Sequence, residues 1–316
     1  MTIKIGCAVW TFTEPAHNPP YEEAIQTVGE LGFDGTELIL RDFEDVEGYW
    51  TKSKIQEIKG LLSSYNLNVS QFAMFQNIMA GLASLDPAEK RRSIETFKIG
   101  CGIAAELGTD LVNFVSPWPW TITSPNSYLP EYYYVNVPGV DPRLRSLDKF
   151  QTKLKVNLPK PFDAKAYWDN HMDSIAQVTA IAKSHGMKLA VENHANTMTP
   201  HTDSVLRMID TVKADNLGAN LDSVWAYVQR EYIPWSIHKY ADRLYHVHLR
   251  DGDGLASYNL PVGFGNIDWV EVFRALKAIR FDGYVSIEWA HDSRVKENAA
   301  RTLAYLRELI AEVEAE

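Results

Sequence analysis

Four polar residues stand where apolar runs of the chain give out: Glu192 in KLAVENH, Asp222 in GANLDS, His248 in LYHVHLRD and Glu288 in GYVSIEWA. Taken singly, each has an ordinary role. A glutamate at a strand end caps a helix or pairs with a base, and a strand histidine is usually a hydrogen-bonded core residue. Three carboxylates and an imidazole meeting at one place would repel each other unless a cation joined them, so together they spell a divalent metal site. Three oxygen donors and one nitrogen leave positions open on an octahedral ion. They favour one Mn²⁺, with Mg²⁺, Co²⁺ or Zn²⁺ as alternatives. Such an ion can hold a carbonyl and an adjacent hydroxyl of a substrate and stabilise the enediolate left when the neighbouring carbon loses its proton. The proton needs an acid and a base. Glu192 and Glu288, on strands three apart, can flank a substrate and serve as that pair.

The elements that must position these side chains read as strand then helix, eight times over. The strand candidates are 3–10, 35–40, 69–75, 111–116, 188–193, 217–222, 244–249 and 284–289. They are short and mostly continuous apolar runs, as in parallel strands buried on both faces. Amphipathic stretches separate them, among them YEEAIQTVGELGF, SKIQEIKGLLSSYN and PAEKRRSIETFKIGCGIAAELG, the last opening after Asp86-Pro87 like a capped helix. No GxGxxG or Walker loop follows a strand, which disfavours a nucleotide-binding sheet. The expected fold is α/β, a (β/α)8 TIM barrel, with residues 1–316 as one domain. In that fold the C-terminal strand ends open onto one face, where active sites lie.

The spacing is uneven once. Residues 117–168 part the fourth strand from the next helix, far beyond an ordinary loop. Trp118, Trp120, Tyr128, Tyr132, Tyr133, Tyr134, Phe150, Phe162 and Tyr167 make this segment too aromatic for disorder. It reads as an insertion that packs on its own barrel, or as a lid or interface on the catalytic face.

Composition bounds the rest. The chain has 46% hydrophobic and 23% charged residues, ordinary for a globular protein. No apolar run is long enough for a membrane span, and MTIKIGCAVW lacks the layout of a signal peptide. With two cysteines, Cys7 and Cys101, no structural disulfide is expected and a cytoplasmic setting fits. A net charge of −10 argues against nucleic acid as a partner.

Around the four residues other candidates gather. His194 lies two past Glu192, so strand alternation returns it to the same side. It is a candidate substrate contact or general base, with a cap or supporting hydrogen bond as the bland role. His246, two before His248, has the matching geometry and is expected to line the same cavity. Trp10 and Asn113, at the ends of the first and fourth strands, are candidate pocket residues or simply core. His17, His171, His185, His201, His238 and His291 fall in loops or helices and are not assigned to the site.

The run VENH, NLDS, HVHLRD, PVGFGNIDW and SIEW resembles the xylose isomerase-like TIM barrels, the sugar isomerase/epimerase superfamily. The resemblance spans the chain in element order and is most specific from Lys188 to Trp289. It implies that Glu192, Asp222, His248 and Glu288 are metal ligands, with the glutamates as acid and base in the epimerases. Two positions depart from the ketose 3-epimerases. These carry a histidine three residues after the aspartate and an arginine six after the histidine ligand, where this chain has Trp225 and Gly254. Trp225 becomes a candidate substrate contact, and a different or larger substrate is implied. Arg250 and Arg294 are the nearest cations. They read as surface or supporting groups, with Arg250 kept as a possible substrate contact, and a phosphorylated sugar is not favoured.

The C-glycoside deglycosidase α-subunits, which act on 3-oxo-glucosides with a small β-subunit, look like this barrel too. That resemblance implies β-elimination after proton removal. A homo-oligomer, or a hetero-oligomer with a β-subunit, is the expected assembly. A multi-zinc abasic-site endonuclease is disfavoured by the acidic chain. A non-catalytic binding barrel would be told apart by the absence of bound metal.

Overall fold

The computed structural model describes residues 3–118, 121–123, 155–158, 160–254, 259–288 and 294–316, with no side-chain description at 121–123 and 155. Its strands are β1 (Ile3–Ala8), β2 (Gly35–Leu40), β3 (Asn68–Met74), β4 (Leu111–Val115), β5 (Thr121–Thr123), β6 (Lys155–Asn157), β7 (Lys188–Glu192), β8 (Leu217–Asp222), β9 (Leu244–Leu249) and β10 (Gly283–Ile287). Eight of them close into a barrel in the order β1-β10-β9-β8-β7-β4-β3-β2, and β5 pairs with β6 outside it. Every barrel pair is parallel, while β5–β6 is antiparallel. The fold is a (β/α)8 TIM barrel. Among the described residues no helix is long and apolar enough to cross a membrane.

The helices follow from local chemistry. Asp86 opens Pro87–Leu107 by accepting from the Ala88 amide at 2.7 Å, with Pro87 at the first helical position, where its missing N–H costs nothing. Gly108, at φ 87°, closes that helix in a left-handed conformation that a side chain disfavours. Phe72, Phe97, Phe114, Phe273 and Tyr240 are fully buried members of the core. Cys7 and Cys101 are buried and unpaired.

Five of the eight barrel strands differ from the sequence reading by one or two residues at one end or both, with β3, β4 and β7 each stopping one residue early. The first strand stops at Ala8, and Val9–Thr11 form a 3-10 turn. The last stops at Ile287, leaving Glu288 just beyond it. After β1 the turn residues Val9, Trp10 and Thr11 are buried as the strand is, and burial alone does not tell strand from turn.

The barrel interior is the unusual part. Aliphatic layers normally fill it, but here Glu37, Gln71, Asn113, Asn220, His246, His248 and Ser286 are all buried. Contacts between β2 and β9, which are not neighbours in the barrel, run through its centre. Buried polar groups need partners: Glu37 is hydrogen-bonded by Gln71, His246 and His248, Ser286 lies against His246, Asn220 donates to Glu192 and Asn113 to Ala190 O.

Candidate metal centre

The four strand-end residues converge. Glu192, Asp222, His248 and Glu288 each present one ligand-type atom, and all four atoms lie within 4.8 Å of one another. Glu192 and Asp222 are the last residues of β7 and β8, His248 the fifth of six in β9, and Glu288 directly follows β10. The register sets His248 opposite Asp222 on one side and Ser286 on the other, while Glu192 lies opposite Asn220 and Glu288 stands two residues beyond Ser286.

Asp222 does two jobs. Its Oδ1 caps Ser223–Val228, accepting from the Val224 and Trp225 amides at 2.9 and 3.1 Å. Its Oδ2 faces the cluster and pairs with Arg250. Arg250 is buried, stacks on the Trp225 ring at 5.0 Å and lies 3.8 Å from Glu288. It is thus part of the site and no surface group, whereas Arg294 is exposed at the start of Val295–Ala315.

Burial pushes the Glu192 carboxyl up to about 7, His248 opposing and Glu288 and Asp222 adding to the rise. Burial would raise Glu288 too, but Arg250 and His248 outweigh it and hold this carboxyl well below the usual range. Burial also raises Asp222, against Arg250. Desolvation would lower His248, yet Glu37, Glu192 and Glu288 together hold it well above an ordinary imidazole. The two glutamates therefore sit in opposite electrostatic surroundings.

The donor set fits a divalent ion. Nδ1 of His248 faces two carboxylates, Glu288 at 3.0 Å and Glu192 at 3.2 Å, while Nε2 lies 3.0 Å from Glu37. Oε2 of Glu288 is buried beside His248 Nδ1 at 3.0 Å and Arg250 at 3.8 Å. With His248 held in its charged form by these carboxylates, Nδ1 carries a proton between them, and a divalent ion bound there would take that proton's place.

A cavity of about 270 Å³ opens above the cluster, lined by Glu192, His248 and Glu288 and walled by rings on two sides. On one side Trp10 donates from Nε1 to Glu288 Oε1 at 3.0 Å and stacks on His17, with Phe75 beyond. On the other, His194 lies between Trp118 and Trp225, at centroid distances of 5.6 and 4.4 Å. Burial takes both His17 and His194 down to about 4, so each is a neutral imidazole at neutral pH. Asn113 lines the floor, its amide donating to Ala190 O at 3.4 Å.

One expected lining residue is elsewhere. His246 sits a layer deeper, with Nε2 2.9 Å from Glu37 Oε1 and 3.0 Å from Ser286 Oγ, and is not among the lining residues. Two positions along a strand keep the same face but move roughly 7 Å down it, below the cavity floor.

Sequence reasoning passed over Glu37, Gln71, Asn220, His17, Phe75 and Asn259. The first three had a signal: each is a polar residue inside an apolar strand run, in GTELIL, VSQFAMF and LGANLD. His17 had none, because only the course of its loop brings it onto Trp10. Of the long aromatic segment, Trp120, Tyr128, Tyr132, Tyr133, Tyr134 and Phe150 lie outside the described residues, while Phe162 stacks on Tyr167 at 5.2 Å.

A family model for the xylose isomerase-like TIM barrel matches residues 25–309. The chain is 25% identical to a ketose 3-epimerase of Arthrobacter globiformis over 99% of its own length and 92% of that protein's. A D-psicose 3-epimerase from Clostridium cellulolyticum H10, solved with D-tagatose, superposes with a TM-score of 0.74 at 17% identity, covering 98% of this chain and 99% of that one. A 3-keto-D-glucoside 4-epimerase from E. coli superposes with a TM-score of 0.69 at 17% identity, over 97% and 100%.

Proposed function

This chain belongs to the xylose isomerase-like TIM barrel family, and from that premise we propose that it is a divalent-metal-dependent enzyme moving a proton next to a carbonyl of a sugar or oxo-sugar. The observation that carries the reading is the convergence of Glu192, Asp222, His248 and Glu288 at a cavity floor. These four would hold one ion, Mn²⁺ first by donor type, with Mg²⁺, Co²⁺ and Zn²⁺ as alternatives. When bound, the ion supplies charge stabilisation for adjacent carbonyl and hydroxyl oxygens.

The remaining chemistry belongs to the side chains. Glu192 and Glu288, on opposite sides of the cluster, take and return the proton. Their opposed surroundings suit one for each task. Trp10 fixes the Glu288 carboxylate through Nε1. His194, neutral and held between two indoles, contacts the substrate or assists as base. Asn113, Trp225 and Arg250 complete the substrate contacts, while His246 supports from below. Ring walls on both sides exclude water from the reacting carbon.

A second reading is favoured by those walls and by Trp225 at the position where ketose 3-epimerases carry a histidine. In it the substrate is a 3-oxo-glucoside with a flat aglycone, and the reaction ends in β-elimination, as in a C-glycoside deglycosidase α-subunit with its small β-subunit. The resemblance to a 3-keto-D-glucoside epimerase supports the oxo-sugar part. We assign residues 117–168, within a single domain of 1–316, to substrate or partner recognition. A homo-oligomer or hetero-oligomer and a cytoplasmic setting complete the proposal.

Incubation with Mn²⁺ in deuterated water with ketoses, oxo-sugars and 3-oxo-glycosides, followed by chromatography and mass analysis, tests both readings. Deuterium entering a recovered or epimerised sugar supports the first, and release of aglycone the second. Turnover without deuterium incorporation in any product would count against the proton-transfer mechanism.

A further inference from the structure

Beneath the cluster, strand β2 contributes a carboxylate that nothing in the mechanism above uses. Glu37 is fully buried at the centre of the barrel and receives donors on both oxygens. Oε1 lies 2.9 Å from His246 Nε2, and Oε2 lies 3.0 Å from His248 Nε2. The Gln71 amide donates to Oε2 at 2.8 Å and lies 2.9 Å from the same ring nitrogen of His248. The trio Glu37, His246 and His248 has metal-ligand composition, but both Glu37 oxygens are already engaged, each by an imidazole nitrogen and Oε2 also by the Gln71 amide. It is a hydrogen-bonded clamp.

We infer that Glu37 is a positioning residue for the metal centre: by accepting the Nε2–H of His248 it turns the Nδ1 lone pair toward Glu192, Asp222 and Glu288. An imidazole binds metal through one nitrogen while the other is held by a hydrogen bond, and that partner sets tautomer and ring orientation. Here the partner arrives from across the barrel, on a strand that supplies no ligand. Because Oε1 is engaged by His246, the carboxylate cannot rotate away from His248 without abandoning a buried donor, which costs free energy. His246 thus braces the carboxylate that braces the ligand.

The inference rests on the metal-site reading, and one titration separates the two. Mn²⁺ and Co²⁺ binding are measured on the whole protein and on Glu37→Gln, with the Co²⁺ absorption bands and the Tm of the metal-free proteins as companion readouts. A glutamine oxygen can accept from only one imidazole, and its amide must donate to the other. Affinity should therefore fall on the order of 10- to 100-fold, and the Co²⁺ bands should shift. If wild type binds neither ion, the metal reading itself fails. If wild type binds and Glu37→Gln binds within about twofold with unchanged bands, Glu37 is merely structural and the inference is overturned, whatever happens to Tm. Should the variant not fold, ¹⁵N-histidine spectra of the Zn²⁺-loaded wild type decide: Nε2 protonated and Nδ1 coordinated is expected for His248, and the reverse sinks the idea.

Discussion

Two halves of the barrel meet at the same mouth with different duties. The half built from β7, β8, β9 and β10 presents the ligand-type residues Glu192, Asp222, His248 and Glu288. The half built from β1, β2, β3 and β4 presents none of them, yet Trp10 holds Glu288, and Glu37, itself held by the Gln71 amide, holds His248. Ligands need an exposed lone pair at a strand end, where the side chain still reaches the cavity. Holders need burial, because a hydrogen bond shielded from water fixes direction more firmly than a solvated one. A site distributed in this way cannot be moved to another scaffold by copying the ligand half.

The comparison breaks most visibly at the ligands. Asp222→Asn and His248→Ala should each lose bound metal by elemental analysis, and full retention in either would undo the assignment. Removing a proton carrier comes next: Glu288→Gln should lower turnover on the order of 10²-fold or more, as general acid–base contributions do. Deuterium exchange at the substrate C–H should fall with it, and a variant near full activity would count against the role.

A buried histidine outside both halves serves as a control. His171 is fully buried, its Nε2 3.1 Å from Ser116 Oγ and its Nδ1 3.3 Å from Leu82 O, and burial takes it from 6.5 down to about 4. Its folded value lies below its unfolded one, so the unfolded chain binds the extra proton. Stability present above pH 6.5 is lost as pH falls toward 4, by roughly 3 kcal/mol for this group alone. In His171→Gln, unfolding free energy should depend less steeply on pH across that window, by up to one proton, with metal affinity unchanged. An identical slope would show that His171 titrates normally.

The smallest effect concerns a holder. Trp10→Phe keeps the ring wall but removes the Nε1 bond to Glu288. It should cost roughly tenfold in rate, in line with a hydrogen bond to a charged acceptor, while metal content stays at wild-type level. Loss of metal in this variant would erase the distinction between holder and ligand.

Strand order and the candidate ligand cluster were legible because both are written locally. The runs 35–40, 217–222 and 244–249 coincide with β2, β8 and β9 to the residue, and a polar residue at the end of an apolar run is visible without any partner. Asp222 shows why single readings stayed open: its cap and its cluster contact are both real, one on each oxygen. His246 shows the opposite failure. Alternation put it on the correct face, but depth along the barrel axis is not encoded by alternation.

By itself, then, the sequence determined the barrel and the strand ends from which the candidate ligands emerge, because hydrophobic period and chain order act between near neighbours. Only the tertiary structure decided which buried groups brace them. Glu37 and His248 are separated by 211 positions, and His17 is seated on Trp10 by the course of its loop. Such pairings arise when the sheet closes and brings β2 across from β9, and no local pattern records which residues will then share a hydrogen bond.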